Sequence, residues 1–178
     1  MWRVYEHRNV PKHLHSVPID ILKRYEKWKD IVSLSGPQGL RLIKGFHDES
    51  LRGEWKGHRS SRLGKQFRVI YRIEKDQILV QVVSITAHDY RKNDMKDYKI
   101  AKRQIDVSVG ESVRIIRELQ EMSQNELAKE AGIPQSTISA IENDRVNLGV
   151  ERAKQLAIAL KCHPAVLVFP GWDVHNAA

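Results

Sequence analysis

The chain has 178 residues, a formal net charge of +8 and 41% apolar residues, enough for one ordinary domain or two small ones. All of the excess charge lies in one half: residues 1–94 carry 19 Lys+Arg against 11 Asp+Glu, and residues 95–178 carry 11 against 11, so the first half is either suited to a polyanion or simply has a basic surface. A single cysteine, Cys162, excludes an internal disulfide, no Cys/His cluster has zinc-site spacing, and no apolar run would span a membrane or serve as a secretory leader; a soluble, cytoplasmic chain with no metal and no cofactor is expected.

Trp2 to Tyr5 reads as a short strand. Ser16, Val17 and Pro18 start a helix, since proline is tolerated at an early helical position where its missing amide costs nothing. Its apolar members are Ile21, Leu22, Tyr25, Trp28 and Ile31 or Val32, and it is expected to end before Gly36 and Pro37. After a loop come two hairpins: Arg59 to Leu63, a turn at Gly64 and Lys65, Phe67 to Ile73, a turn at Lys75 and Asp76, and Ile78 to Ile85. In the middle run Phe67, Val69, Tyr71 and Ile73 share one face and Arg68, Ile70 and Arg72 the other. An antiparallel sheet follows, covered by the helix on one face and strongly basic on the other through Lys56, Arg59, Arg62, Arg68 and Arg72. His88, Asp89 and Tyr90 stand just past the last strand.

Residues 93–108 are mixed and charged without core periodicity, and read as a linker or extended arm. Beyond them Val109, Val113, Ile116 and Leu119 fall on one helical face. Ser123 and Glu126 offer a capping box for a second helix, which runs through Leu127 and Ala128 to Ala131 and is stopped by Gly132 in the left-handed conformation. A third helix buries Ile138 and Ile141 and turns Gln135, Ser136, Thr137 and Ser139 outward. Small polar side chains of that kind can hydrogen-bond base edges from the major groove. A polar loop from Glu142 to Asn147 leads to a fourth helix with Val150, Ala153, Leu156, Ala157 and Leu160, and Pro164 to Phe169 begins a fifth.

Ser123, Gln124, Leu127, Ala128, Gly132, Thr137, Ile138, Ser139, Ile141 and Glu142 hold the relative spacing of the repressor-like (XRE/Cro/CI) helix-turn-helix family, which this segment closely resembles. The resemblance implies that Gln124 contacts a phosphate, that Gln135, Ser136, Thr137 and Ser139 read bases, and that Arg145 and Asn147 touch the backbone of a palindromic operator bound by a homodimer. The reading helix lacks Arg and Lys, so specificity would come from Gln and Ser, DNA shape or dimer spacing.

Gly53 to Tyr90, through Trp55, Ser60, Ser61, Arg62, Leu63, the run Phe67 to Tyr71, and His88 to Tyr90, resembles the RelE/ParE superfamily of bacterial toxins. Its messenger-RNA interferases cleave RNA on the ribosome without metal. The resemblance implies that Arg68 and Arg62 stabilise the phosphate, that His88 is acid or base because its free pKa lies near neutrality, and that Tyr90 stacks on a base or shares proton transfer; His47 and Lys56 are secondary catalytic candidates. Toxin preceding antitoxin is the gene order of the HigB-HigA type, which implies a fused toxin-antitoxin. The expected fold is α+β: a RelE-like small antiparallel sheet with an N-terminal helix at 1–92, a linker at 93–108, and an all-α five-helix repressor-like domain at 109–178. Three functions remain open: a latent ribosome-dependent endoribonuclease held by its tethered, autorepressing antitoxin; a transcriptional regulator with a non-catalytic toxin-like domain; and a gyrase-directed ParE-like toxin.

Overall fold

In the computed structural model, which describes residues 2–75, 77–83 and 95–172 (81–83 and 95 by backbone alone), strand β1 (Arg3–His7) lies inside a sheet. The other strands are β2 (Glu49–Ser50), β3 (His58–Arg62), β4 (Arg68–Glu74), β5 (Gln77–Val83) and β6 (Tyr98–Ile100), in the spatial order β2-β3-β4-β5-β1-β6. Both expected hairpins are present, and every pairing is antiparallel except that of β5 with β1. The arm at 93–108 supplies β6, which lies beside β1, and just past it the Ala101 amide donates to the Val4 carbonyl at 2.9 Å. Only Tyr98 of that strand is buried, which is why no core periodicity marks it.

A short helix α1 (Val10–Leu14), unanticipated because five residues carry too little periodicity, buries Val10 and Leu14. Helix α2 (Ile19–Arg41) buries Ile21, Tyr25, Trp28 and Val32, the 3.6-residue stripe read from the sequence. Trp28 stacks on Tyr25 at 6.0 Å and meets Tyr71 of β4 edge-on at 5.2 Å, so α2 covers the sheet face that carries Val69 and Tyr71. The first helical run ends at Gly36, as expected, and a second run continues from Pro37 to Arg41 across a kink. Gly36 takes φ 65°, against the Trp2 indole where a Cβ would come within 2.5 Å of Nε1, and Pro37 restarts the helix with its ring at a position that needs no amide.

Five helices follow as expected: α3 (Val109–Leu119), α4 (Gln124–Ala131), α5 (Gln135–Glu142), α6 (Val150–Leu160) and α7 (Pro164–Val168). Around α4 the Ser123 hydroxyl accepts from the Glu126 amide at 3.1 Å and the Ser123 amide donates to the Glu126 carboxylate at 2.7 Å, and Gly132 closes the helix at φ 65°. Ile138, Ile141, Leu156 and Leu160 are buried, but Val150, expected inside, is 70% exposed because it opens α6 ahead of the buried stripe. Among the described residues no helix is long and apolar enough to cross a membrane.

The two halves share one core along α2, α3 and α7. Lys27 of α2 is fully buried there: its ammonium donates to Asp30 at 2.7 Å, to Ser112 Oγ at 3.1 Å and to the Val166 carbonyl at 2.6 Å. Burial pulls that ammonium's pKa down, and Asp30 opposes the shift. Lys29 donates to the Lys102 carbonyl at 2.7 Å, and the Gln104 amide donates to Glu26 at 2.8 Å, so the chain leaving β6 is fastened to α2. Cys162, partly buried, packs against the same core, and burial pushes its thiol up to about 12.

Candidate nucleic-acid interface

Helix α5, expected to read bases, turns its polar side chains outward as the pattern demands. Gln135 and Ser136 are exposed, Thr137 and Ser139 are half-buried, and Arg145 and Asn147 are exposed in the loop that follows. Beneath this surface lies a network that was not read from the sequence. Arg117 of α3 donates through Nε and Nη2 to the two carboxylate oxygens of Glu142, at 2.6 and 3.0 Å, and through Nη1 to the Met122 carbonyl at 2.7 Å. Glu142 is buried at the last turn of α5 and does not open the polar loop expected there. Its second oxygen also accepts from Gln124 Nε2 at 2.8 Å, and Gln124 Oε1 accepts from Gln135 Nε2 at 2.7 Å. A bidentate pair of the half-buried Arg117 with the buried Glu142 thus braces two expected DNA contacts. The Ser108 hydroxyl and Gly110 amide, at the start of α3, both donate to Asp144, at 2.5 and 2.8 Å, which pins the loop carrying Arg145 and Asn147. The Ser108–Glu111 capping box that starts α3 has the same Ser-x-x-Glu spacing as that at Ser123, although it is not among the expectations drawn from the sequence.

On the sheet, cross-strand pairing decides which cations share a face. Arg62 stands opposite Arg68, Ser60 opposite Ile70 and His58 opposite Arg72, all on the side away from Val69 and Tyr71. Arg68 donates to Ser60 Oγ at 3.2 Å and to Glu49 at 3.3 Å. Arg72 pairs with Glu74 at 2.9 Å and lies over the Tyr98 ring at 5.8 Å. The face is not uniformly basic: Ile70 and Leu79 are buried within it. Arg59 belongs to the other face. It stands opposite Tyr71 and is bound to Asp48, a carboxylate that also accepts from Ser61 at 2.6 Å and Tyr71 at 2.7 Å. Burial, and then the Asp48 charge, push the Tyr71 hydroxyl well above the usual range.

Lys56 is exposed just before β3. His47 is also exposed, in a left-handed backbone at φ 41°, and its Nε2 lies 4.0 Å from Glu121 of the helical half. His88 and Tyr90 lie outside the described residues. Arg62 and Arg68 are therefore brought together, while His47 stands at the seam between the halves.

Residues 113–167 match the family model described as helix-turn-helix, so this segment is a helix-turn-helix domain. No curated protein matches the chain. Among solved structures, the restriction-modification controller protein C.AhdI from Aeromonas hydrophila is similar at 29% identity and TM-score 0.33, over 33% of this chain and 89% of that one. The P22 c2 repressor, solved with synthetic operator 9T, is similar at 28% identity and TM-score 0.35, over 36% and 98%. The YoeB-YefM complex from Staphylococcus aureus contains a chain similar at 13% identity and TM-score 0.39, over 49% and 99%.

Proposed function

We propose that this chain is a fused toxin-antitoxin protein of the HigB-HigA type whose working activity is to bind operator DNA, as a homodimer, and repress its own transcription. The observation that carries this reading is the bracing of Gln124 and Gln135 on Glu142 beside the exposed Ser136. Bidentate amide recognition of a base edge needs a side chain already held in one rotamer. The test is enrichment of duplexes from a randomised library by the full chain. A two-fold symmetric site with half-sites about one helical turn apart is expected, and Gln135→Ala should relax one position in each half-site at a cost of about 1–3 kcal/mol. Failure to enrich any sequence would overturn the reading.

Metal-independent cleavage of messenger RNA on the ribosome is a second reading, favoured by the placement of Arg62 directly opposite Arg68. Two arginines at paired positions on one sheet face suit the charge that builds on a phosphorane as the ribose 2′-oxygen attacks. In that scheme His88 and Tyr90 handle the protons, with Lys56 and His47 in support. A tether supplies the antitoxin at an effective concentration of order millimolar, so the nuclease would be latent. With a protease site inserted after Asp94, cleaved and intact chains are compared on translating ribosomes. Messenger cleavage by the cut form, abolished by Arg68→Ala, is expected, and no cleavage in either form would leave a non-catalytic domain that assists repression.

A further inference from the structure

The helical half is short of positive charge for the task proposed for it. Residues 109–178 carry seven Lys or Arg against nine Asp or Glu, and α5 contains neither Lys nor Arg. Duplex DNA presents a phosphate charge about every 1.7 Å along its axis. Two acids stand where its backbone would approach Gln124: Glu121, exposed in the turn before α4, and Glu126, exposed in the first turn of α4. Left alone, both would repel it.

The fold brings cations from the other half to this place. The turn Lys44–Phe46 sits on the C-terminal end of α3. The Lys44 amide donates to Gln120 Oε1 at 3.2 Å, while Gln120 Nε2 donates to the Leu42 carbonyl at 2.9 Å and the Leu160 carbonyl at 2.7 Å. Gly45 lies so close to Leu119 that a Cβ would come within 2.6 Å of its carbonyl oxygen. The backbone around Lys44 is thus fixed to the helix-turn-helix, while the residue itself is exposed. The Ser123 amide and hydroxyl hold the Glu126 carboxyl below its ordinary range, and the Lys44 charge adds to their effect. His47 follows, 4.0 Å from Glu121. Further along α3, Lys23 pairs with Glu111, and Arg24 with Glu118 at 3.4 Å. Glu111, Glu118, Glu121 and Glu126 each have a cation or histidine from residues 23–47 nearby.

We infer that the Lys44 turn is part of the DNA-contact surface: Lys44 supplies a phosphate contact beside the N-terminus of α4 that the helical half does not itself contain. The inference rests on the DNA-binding reading, and it makes the two halves one binding unit in place of a repressor carrying a passenger.

The test uses the full chain and the duplex enriched by it. Affinity is measured by fluorescence anisotropy across a salt series for the wild type, Lys44→Gln, Lys44→Arg and Lys12→Gln, the last an exposed position on α1. Lys44→Gln should reduce the slope of log affinity against log salt by about 1 and weaken low-salt binding about three- to tenfold. Base preference should not change, because phosphate contacts position without reading. Lys44→Arg should keep the slope, and Lys12→Gln should match the wild type. An unchanged slope in Lys44→Gln overturns the inference, as does an equal loss in Lys12→Gln, which would make the effect one of net charge. A wild type that enriches no duplex removes the DNA-binding reading as well; one that enriches a duplex and is indifferent to Lys44 removes only this inference.

Discussion

The proposed reading face of α5 and the arginine face of the sheet are held in different ways. Gln124 and Gln135 are two steps along a chain of hydrogen bonds that starts at the pair of Arg117 with the buried Glu142. Arg68, with a side chain 40% exposed, has single contacts of 3.2 and 3.3 Å to Ser60 and to the still more exposed Glu49. Base reading requires donors and acceptors fixed to a fraction of an ångström, whereas a guanidinium that meets a phosphate can reorient toward it. The bracing is what the proposed base-reading role requires, and the loose arginines suit the proposed phosphate role.

Removing the brace breaks this contrast most directly. In Glu142→Ala the half-buried Arg117 guanidinium loses its carboxylate, a change that costs about 1–3 kcal/mol, and Gln124 loses its acceptor. A thermal melt of the full chain should show a large fall in Tm, and discrimination between the enriched duplex and a scrambled one should fall further than total affinity. Arg68→Ala, on the same scale, should move stability by no more than about 0.5 kcal/mol. If Glu142→Ala melts like the wild type, the pair is not a brace and the two faces are equivalent.

The elements of the helical half were legible because their signals are local. Ser123 and Glu126 sit three residues apart, Gly132 punctuates α4, and Ile138 and Ile141 mark the inner side of α5. What was not legible depends on pairing across distance. Alternation along β4 placed Arg68 and Arg72 on one face correctly, yet it could not say that Arg59 stands opposite Tyr71, because register is a property of two strands. Asp48 receives Arg59, Ser61 and Tyr71 from 11, 13 and 23 residues away, and nothing at Asp48 announces it. Lys27 falls between the apolar positions of α2 and reads as a solvated residue until Ser112 and Val166 close over it. The helix-turn-helix resemblance confines the expected DNA contacts to 109–178, and nothing in the sequence sets Lys44 apart from the other lysines of the first half.

A smaller effect sharpens the comparison by asking how the seam beneath the reading face is held. The Glu111 carboxylate accepts from the Ser108 amide at 3.1 Å, pairs with Lys23 across the seam and lies 3.8 Å from Arg114. Burial alone would raise its pKa, but the hydrogen bonds from Lys23 and Ser108, together with the Lys23 and Arg114 charges, hold it below the ordinary value. A carboxyl whose pKa is depressed by folding contributes stability above its unfolded value, about 4.3, and that contribution is lost as pH falls through the folded value. Glutamine keeps the capping role, so Glu111→Gln removes only the charge. Urea melts at pH 7 should show a loss of no more than about 1 kcal/mol, and the gap between variant and wild type should close as the pH is lowered through the carboxylate range. A gap of the same size at both ends would mean that the neutral groups, Gln120 and the apolar contacts of α2 with α3 and α7, hold the halves together. In that case the cations of residues 23–47 are at liberty to serve DNA phosphates, and Lys44 would be one of several that do.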